Sequence, residues 1–278
     1  MGKESSRQND RRMDKGMRRL SRLWEQFCTF DNLYRAFIKA KRGTKNAEAY
    51  EWSFYRERNL LQLLEELSTG AYVPGDYRYF TIKDPKERII SVAPFRDRVV
   101  HHALIQVLEP IYERRFIYDS YATRKNKGTH RAVFRAQKFL KQTIWYLKLD
   151  IRKYFYSIDH TVLLSILERK IKDKKILDLS EKIIRKGGAN GKGIPIGNLT
   201  SQFFANVYLD VFDHWVKEKK RVHHYLRYMD DCVFFSNSKL FLKGLLKEIK
   251  IFLSEYLLLS VKENATYINS RSNGLSFL

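Results

Sequence analysis

Two adjacent carboxylates stand between two strand-like runs in HYLRYMDDCVFF, residues 224–235. The aromatic and β-branched residues on both sides predict a hairpin that carries Asp230 and Asp231 at its tip. Asp is common in turns, so an ordinary solvated turn is one interpretation. The apolar flanks favour another, in which the tip lies against a core. Ionised carboxylates repel each other there and are poorly solvated, so this arrangement calls for a cation between them.

A third carboxylate follows the other strong strand, TIWYLKLD, residues 143–150. If this strand lies beside the hairpin, Asp150 and Asp230 meet at one end of the sheet. Such carboxylates are typical ligands of Mg²⁺, which is usually held by one or two of them together with substrate phosphates. Two metal ions about 4 Å apart activate a hydroxyl and stabilise the leaving oxygen of an in-line displacement at phosphorus.

The net charge of the chain points to a polyanionic partner. Lys and Arg number 53 against 31 Asp and Glu, which gives a formal charge of +22. Basic side chains that neutralise phosphates release counterions and so favour nucleic-acid binding. Solubility, or a base composition that favours Lys codons, is the alternative explanation. Hydrophobic residues make up 44% of the chain, which argues against general disorder.

The remaining composition indicates an intracellular protein. Cys28 and Cys232 are far apart and lack metal-ligand spacing, which suits a reducing compartment. The N-terminus is polar and basic, unlike a secretory signal, and no apolar run is long enough to span a bilayer. We therefore expect a soluble protein without a membrane partner.

Apolar periodicity predicts helices and strands in a mixed order, as in α/β or α+β folds. Helices are expected from Leu20 and over about 48–67, 96–118, 125–141, 161–171, 199–215 and 240–259. Strands are expected as a pair within 73–94, at 143–150, in the hairpin, and in LLLSVKE and GLSFL near the end.

Three motifs together resemble a known family. YMDD at 228–231 and LDIRKYFYSID at 149–159 resemble the palm motifs of reverse transcriptases. Between them, GIPIGNLTSQFFANVYL at 193–209 is similar to the version found in reverse transcriptases of diversity-generating retroelements, whereas group II intron enzymes usually carry Pro-Gln-Gly there. PKERIISVAPFRDRVVHHAL at 85–104 also resembles the fingers region of that group. The resemblance runs from about Trp24 to the C-terminus.

The resemblance implies an α+β right-hand polymerase fold, with fingers and a palm whose antiparallel sheet is flanked by helices. It divides the chain into a flexible basic arm (1–19), N-terminal helices and fingers (20–142), and a palm that ends at the start of the primer-grip region (143–278). GLSFL is similar to the start of the primer-grip strand, so we expect the thumb to be largely absent and processivity to be weak. A truncated chain, a fragmentary reading frame and a minimal enzyme that borrows a clamp all remain open.

Carried over residue by residue, the resemblance implies that Asp150 and Asp230 bind two Mg²⁺ ions, for which Mn²⁺ is a substitute. Asp231 supports this site, and the backbone oxygen of Ile151 completes the ligand shell. Lys262 matches the lysine that protonates the leaving pyrophosphate. The three acids could instead cap a helix or form surface salt bridges. Lys262 could instead be an ordinary exposed lysine in a loop.

The resemblance also implies contacts to the deoxynucleoside triphosphate. Arg88 and Lys83 match fingers residues that grip the phosphates, with Lys86 as an alternative to Lys83. Phe155 matches the aromatic gate that excludes a ribose 2′ hydroxyl, and core packing is its alternative. Arg124 resembles an arginine near the template or the nucleotide.

The central glycine motif departs from other reverse transcriptases at Ile196. A Gln there can hydrogen-bond near the incoming nucleotide, and a branched apolar side chain cannot. We therefore expect relaxed pairing and misincorporation opposite template adenines. Gly197 would let the template or the nucleotide approach the backbone closely.

We therefore expect an RNA-directed DNA polymerase that takes an RNA template, a DNA primer and deoxynucleoside triphosphates. It is expected in the cytoplasm, encoded by a bacterium or phage, with a small basic accessory protein as a partner. The alternatives are a group II intron or retron enzyme, a non-catalytic nucleic-acid-binding relic, and a defence-associated polymerase that makes untemplated DNA.

Overall fold

The computed structural model describes residues 19–44, 46–83 and 87–278. The expected basic arm lies outside these ranges apart from its last residue, and so does Lys86. The N-terminal half contains α1 (Leu23–Phe27), α2 (Phe30–Lys41), α3 (Ala47–Phe54), α4 (Arg56–Thr69), β1 (Arg78–Ile82), β2 (Arg88–Val92), α5 (Phe95–Glu113) and α6 (Thr129–Gln142). The C-terminal half contains β3 (Trp145–Leu149), α7 (Tyr154–Ser157), α8 (His160–Glu168), α9 (Lys174–Lys186), α10 (Leu199–His214), a π-helical turn (Trp215–Lys219), β4 (Tyr225–Tyr228), β5 (Asp231–Ser236), α11 (Lys239–Tyr256) and β6 (Tyr267–Ser270).

The N-terminal helices form a support for the β1–β2 hairpin. α2 starts at Thr29, whose hydroxyl accepts a hydrogen bond from the backbone N–H of Asn32 (3.2 Å). The Asn32 amide then donates to the carbonyl of Ala103 on α5 (3.2 Å) and accepts from Gln106 (2.8 Å). α5 begins three residues after the end of β2. The packing of α2 on α5 therefore fixes the position from which the β1–β2 hairpin extends.

A four-stranded antiparallel sheet forms the centre of the C-terminal half, in the order β4-β5-β3-β6. β3 is the strand predicted from TIWYLKLD, and β4 and β5 form the hairpin predicted from HYLRYMDDCVFF. Leu149 at the end of β3 lies opposite Cys232 near the start of β5. The two strands that carry the acids are therefore neighbours, and the mixed architecture confirms the predicted α+β class.

The alternation of side chains gives this sheet two packed faces. One face, with Leu147 and Phe234, belongs to the main core and packs on α10 and α11. The other face, with Tyr146 and Val233, packs on α6 in a smaller cluster. Both faces are apolar along most of the strands, and the charged exceptions are Lys148 on β3, the buried Arg227 on β4 and the acids at the strand ends.

Most of the predicted helices begin or end a few residues away from the predicted position, and two of them differ for a clear structural reason. The first begins three residues later than expected, because Leu20 pairs with Ile171 in an isolated parallel bridge. The second is two helices that meet at Tyr55, where the side chain of Asn59 donates to the carbonyl of Trp52 (3.1 Å) and so helps to end α3.

Periodicity also missed α9 and misplaced the last strand. α9 buries Ile176, Leu179 and Ile183, spaced at three and four residues, among many charged ones. The final strand is β6, whereas the predicted strands in LLLSVKE and GLSFL do not form, and GLSFL lies over the sheet. There the hydroxyl of Tyr146 donates to the carbonyl of Gly274 (2.5 Å).

Candidate active site

The three acids predicted to act together do meet at one end of the sheet. Asp150 follows β3 directly, Asp231 is the first residue of β5, and Asp230 lies in the two-residue turn between β4 and β5. Continuing the β3–β5 register by one residue places Asp150 beside Asp231. Burial is the main cause that raises the pKa of Asp230 to about 6, and the negative charges of Asp150 and Asp231 contribute to this increase. The three carboxylates therefore share one electrostatic site.

The turn that carries Asp230 has an unusual backbone. Met229 has a φ of +54°, the left-handed conformation that a two-residue hairpin turn requires at its first position. Gly, Asn or Asp normally occupies that position, and a larger side chain costs on the order of 1 kcal/mol there. The carbonyl of Met229 accepts a hydrogen bond from Arg227 (2.9 Å). The surroundings therefore hold the turn in a strained conformation.

Two lysines lie beside the acids. The ammonium of Lys262 is 3.7 Å from Asp150 Oδ2, and its backbone N–H donates to the Asp150 carbonyl (2.8 Å). The ammonium of Lys148 is 3.6 Å from Asp231 Oδ1. Lys262 was predicted, whereas Lys148 was missed. The alternation of WYLKLD already places Lys148 on the same face of β3 as Asp150, and this was the available signal.

The backbone carbonyl of Ile151 is not used by the segment that pairs with it. Ile151 pairs with Val261 in an antiparallel bridge whose hydrogen bonds come from the residues on either side of the pair. In such a pair the central N–H and C=O groups point away from the partner segment. The carbonyl of Ile151 therefore points to the side of β3 on which the β4–β5 hairpin lies.

Arg88 of the β1–β2 hairpin interacts electrostatically with Asp230. This residue begins β2 and is exposed, and its positive charge lowers the pKa of Asp230 against the larger upward effects. Lys83 is exposed directly after β1, on the same hairpin. Arg88 therefore lies within electrostatic reach of the carboxylates, at a position suited to an anionic substrate.

The Ile196–Gly197 loop is attached to the fingers strand. The backbone N–H of Ser91 in β2 donates to the Ile196 carbonyl (2.8 Å), and the Asn198 amide donates to the Ser91 carbonyl (3.3 Å). Gly197 has a φ of +108°, and a Cβ there would lie 2.7 Å from Cγ2 of Ile90. Gly197 was predicted to let a template or nucleotide come close to the backbone. In the structure it is strand β2 that lies close to Gly197.

Phe155 lies next to this loop. It is partly buried in α7 against the main core, and its carbonyl accepts a hydrogen bond from the N–H of Ile194 (2.9 Å), two residues before Ile196. Its ring packs edge-on against Tyr154, with centroids 5.7 Å apart. Phe155 is thus the fifth residue after Asp150, and Tyr154 packs against one side of its ring.

Arg124 is held by contacts with nearby residues of the chain. Its guanidinium donates from Nε and Nη2 to the carboxylate of Glu113 and from Nη1 to the carbonyls of Ile117 and Ser120. The side chain is only 5% exposed. Arg124 therefore holds its own loop together, with its charge paired to Glu113, and its place near the template or the nucleotide stays a prediction.

The donor set at the strand ends fits a divalent cation. Asp230 is disfavoured as an anion by its like-charged neighbours, and a bound cation relieves that repulsion. Within the described ranges, no three acidic, His or Cys side chains are gathered into a ready-made ion cage. A divalent cation held by the carboxylates at the strand ends would take the rest of its ligands from substrate phosphates and water.

Comparison with known structures identifies the class of fold. The chain superposes on telomerase from Candida albicans with a TM-score of 0.57 over 79% of this chain and 49% of that one. The sequence identity is 11%, so the likeness shows the fold alone, a polymerase fold. The family model described as reverse transcriptase (RNA-dependent DNA polymerase) matches residues 82–268. The chain belongs to this reverse transcriptase family.

Curated relatives come from group II introns and related genes. The group II intron-encoded protein LtrA of Lactococcus lactis is 28% identical over 204 residues, which is 70% of this chain and 34% of LtrA. Protein YkfC of Escherichia coli is 29% identical over 174 residues, 57% of this chain and 46% of YkfC. The chain thus spans less than half of these relatives. No helix within the described residues has the length and apolarity needed to cross a bilayer.

Proposed function

We propose that the protein is an RNA-directed DNA polymerase that adds deoxynucleotides to the 3′ end of a primer. The observation that carries this proposal is the meeting of Asp150, Asp230 and Asp231 at one end of the sheet, within reach of the charge of Arg88. A phosphoryl-transfer site needs an acidic metal-binding end and a cationic group for the triphosphate, and both are present here.

Two Mg²⁺ ions, or Mn²⁺ in their place, would be held by Asp150, Asp230 and the carbonyl of Ile151, with Asp231 in support. When bound, they lower the pKa of the primer hydroxyl and neutralise charge that develops on the phosphates. Membership of the reverse transcriptase family supports a divalent ion without specifying which one or how many.

Side chains of this protein would bind the triphosphate, select the sugar and donate a proton to the leaving group. Arg88 binds the triphosphate by a bidentate contact, and Lys83 adds a point charge from the same hairpin. Phe155 excludes a 2′ hydroxyl sterically, since its ring is packed from behind by Tyr154. Lys262 donates a proton to the leaving pyrophosphate; the carboxylate of Asp150, 3.7 Å away, keeps its ammonium at the site.

Primer extension on an RNA template with Mg²⁺ tests the activity. The wild-type protein should extend a DNA primer, and Asp230→Ala should not. Product that forms without a template would instead identify an untemplated, defence-type polymerase. No extension by a folded, metal-loaded wild type would favour the non-catalytic nucleic-acid-binding alternative.

The genetic setting is a finer part of the proposal. IPIGNLTSQ supports an enzyme of a diversity-generating retroelement, with a small basic accessory protein. The homology to LtrA supports a group II intron reverse transcriptase equally well. The error spectrum separates the two, because only the first predicts substitutions concentrated at template adenines.

The Ile196→Gln variant tests the structural cause of such errors. A Gln amide restores the hydrogen bond that Ile cannot make, so adenine-directed misincorporation should fall while errors at other bases change less. Ile196→Leu is the matched control, since it keeps an apolar side chain of equal size. Equal error spectra for wild type, Ile196→Gln and Ile196→Leu would contradict this explanation.

A further inference from the structure

A fully buried ion pair lies behind the turn that carries Asp230. The guanidinium of Arg227 donates from Nε and Nη2 to both carboxylate oxygens of Asp213, with the shortest contact at 2.6 Å. Neither side chain has any exposed surface. Tyr225 also donates to Asp213 Oδ1 (2.7 Å) from its buried hydroxyl. Asp213 is thus held by two neighbours on β4.

A buried ion pair usually adds little to the stability of a fold. Removing two charges from water costs several kcal/mol per ion, and well-packed apolar residues of similar volume often serve a fold equally well. Asp213 uses only two of the three nitrogens of Arg227. The remaining nitrogen, Nη1, donates to Asn206 Oδ1 (3.0 Å) and to the carbonyl of Met229 (2.9 Å).

The Met229 carbonyl belongs to the peptide that leads into Asp230. Met229 is the residue with the left-handed backbone, so this peptide can relax if it is not held. A charge-assisted hydrogen bond to its carbonyl opposes that relaxation. The guanidinium is itself fixed by Asp213 on α10, and therefore the helix sets the direction of the turn.

The same network extends to a neighbouring loop. The Asn206 amide donates to the Ala122 carbonyl and to the Thr123 hydroxyl, both at 2.9 Å. The carbonyl of Arg227 accepts from the N–H of Tyr121 (2.9 Å). The segment around residues 121–123 is thus tied to the network through the side chain of Asn206 and the backbone of Arg227.

We propose that Arg227, fixed by Asp213, is a positioning residue that holds the Met229–Asp230 peptide in the conformation that aims the Asp230 carboxylate at the cation site. This inference rests on the proposed function, in which Asp230 is a metal ligand. Arg227 touches neither substrate nor ion and acts through the Met229 carbonyl.

The double variant Asp213→Leu/Arg227→Leu tests the proposal. It removes both buried charges together, so neither is left unpaired, and it deletes the donor to Met229. Tyr225→Phe is the control, because it removes another hydrogen bond to Asp213 and leaves the contact to Met229 intact. If the double variant does not fold, Arg227→Lys replaces it, since one nitrogen then takes the place of the three through which Arg227 contacts Asp213, Asn206 and Met229.

Two measurements on the metal-free protein report the effect. The chain has four methionines, so ¹³C-methyl labelling gives a simple spectrum in which Met229→Leu assigns the Met229 signal. We expect that signal to shift in the double variant and not in Tyr225→Phe. Titration with Mn²⁺ followed by electron paramagnetic resonance should show binding weakened about tenfold in the double variant, the effect of losing one hydrogen bond to a charged group.

The outcomes distinguish a failure of the positioning role of Arg227 from a failure of the proposed function. A folded double variant with the wild-type Met229 signal and wild-type Mn²⁺ affinity overturns the positioning role. Wild-type Mn²⁺ affinity in Asp230→Asn overturns the proposed function instead, because Asp230 would then not be a ligand. Loss of affinity in Asp230→Asn together with a shifted Met229 signal and weakened binding in the double variant supports both.

Discussion

The variant Asp230→Asn should be more stable than the wild type when no metal is bound. Burial and the charges of Asp150 and Asp231 raise the pKa of Asp230 from its ordinary 3.8 to about 6. Each pKa unit is worth about 1.4 kcal/mol, so the ionised side chain destabilises the metal-free fold by up to about 3 kcal/mol. Asn keeps the shape and removes the charge.

The dependence on pH follows from the direction of the shift. A carboxylic acid with a raised pKa in the folded state contributes stability that is present below about pH 4 and is lost as the pH rises through about 6. The wild type should therefore lose unfolding free energy over this range relative to Asp230→Asn. The difference between the two proteins should be largest at neutral pH and vanish near pH 4.

Urea denaturation in the presence of EDTA, followed by tryptophan fluorescence, measures this difference. Asp178→Asn is the control, because Asp178 is an exposed carboxylate on α9, far along the chain from the site. An Asp230→Asn variant that is no more stable than the wild type at neutral pH would refute the reasoning, since the three carboxylates would then not interact strongly in the folded state.

Two further substitutions test the loop and the ring beside the acids. Gly197→Ala should lower the unfolding free energy by about 1–3 kcal/mol, through its backbone conformation and the contact with Ile90. In urea denaturation it should lose more than Gly191→Ala, which has a similar backbone and open space; equal losses would contradict the contact. Phe155→Val should raise ribonucleotide incorporation on the order of tenfold, measured against the deoxynucleotide in single-nucleotide extension. An unchanged ratio would assign Phe155 to core packing.

The meeting of the acids was predictable because it follows from strand alternation and hairpin geometry. TIWYLKLD and HYLRYMDDCVFF are rich in β-branched and aromatic residues, and each places its acids at a strand end. Antiparallel pairing of the two strands then leaves few registers that bury Leu149 and Cys232 together. The long helix α10 was predicted for a similar reason, since its apolar residues recur at three and four positions over four turns.

The supporting contacts were not predictable, because they depend on partners far away in the chain. Arg227 alternates with apolar residues on the core face of β4, which signals a buried charge, but the sequence does not identify Asp213 as its partner. Gly197 was recognised as a site of close approach, and only the fold shows Ile90 as the neighbour. The missed helix α9 had a regular apolar face that its many charged residues obscured.

The most direct test of the central claim is a double-mutant cycle in Mn²⁺ affinity. The wild type, Asp150→Asn, Asp230→Asn and the double variant are titrated with Mn²⁺ under one set of conditions. If the two carboxylates share a cation, each single variant binds more weakly and the double variant loses much less than the sum of the two losses. Strictly additive losses, or an affinity that neither substitution changes, would contradict a shared site.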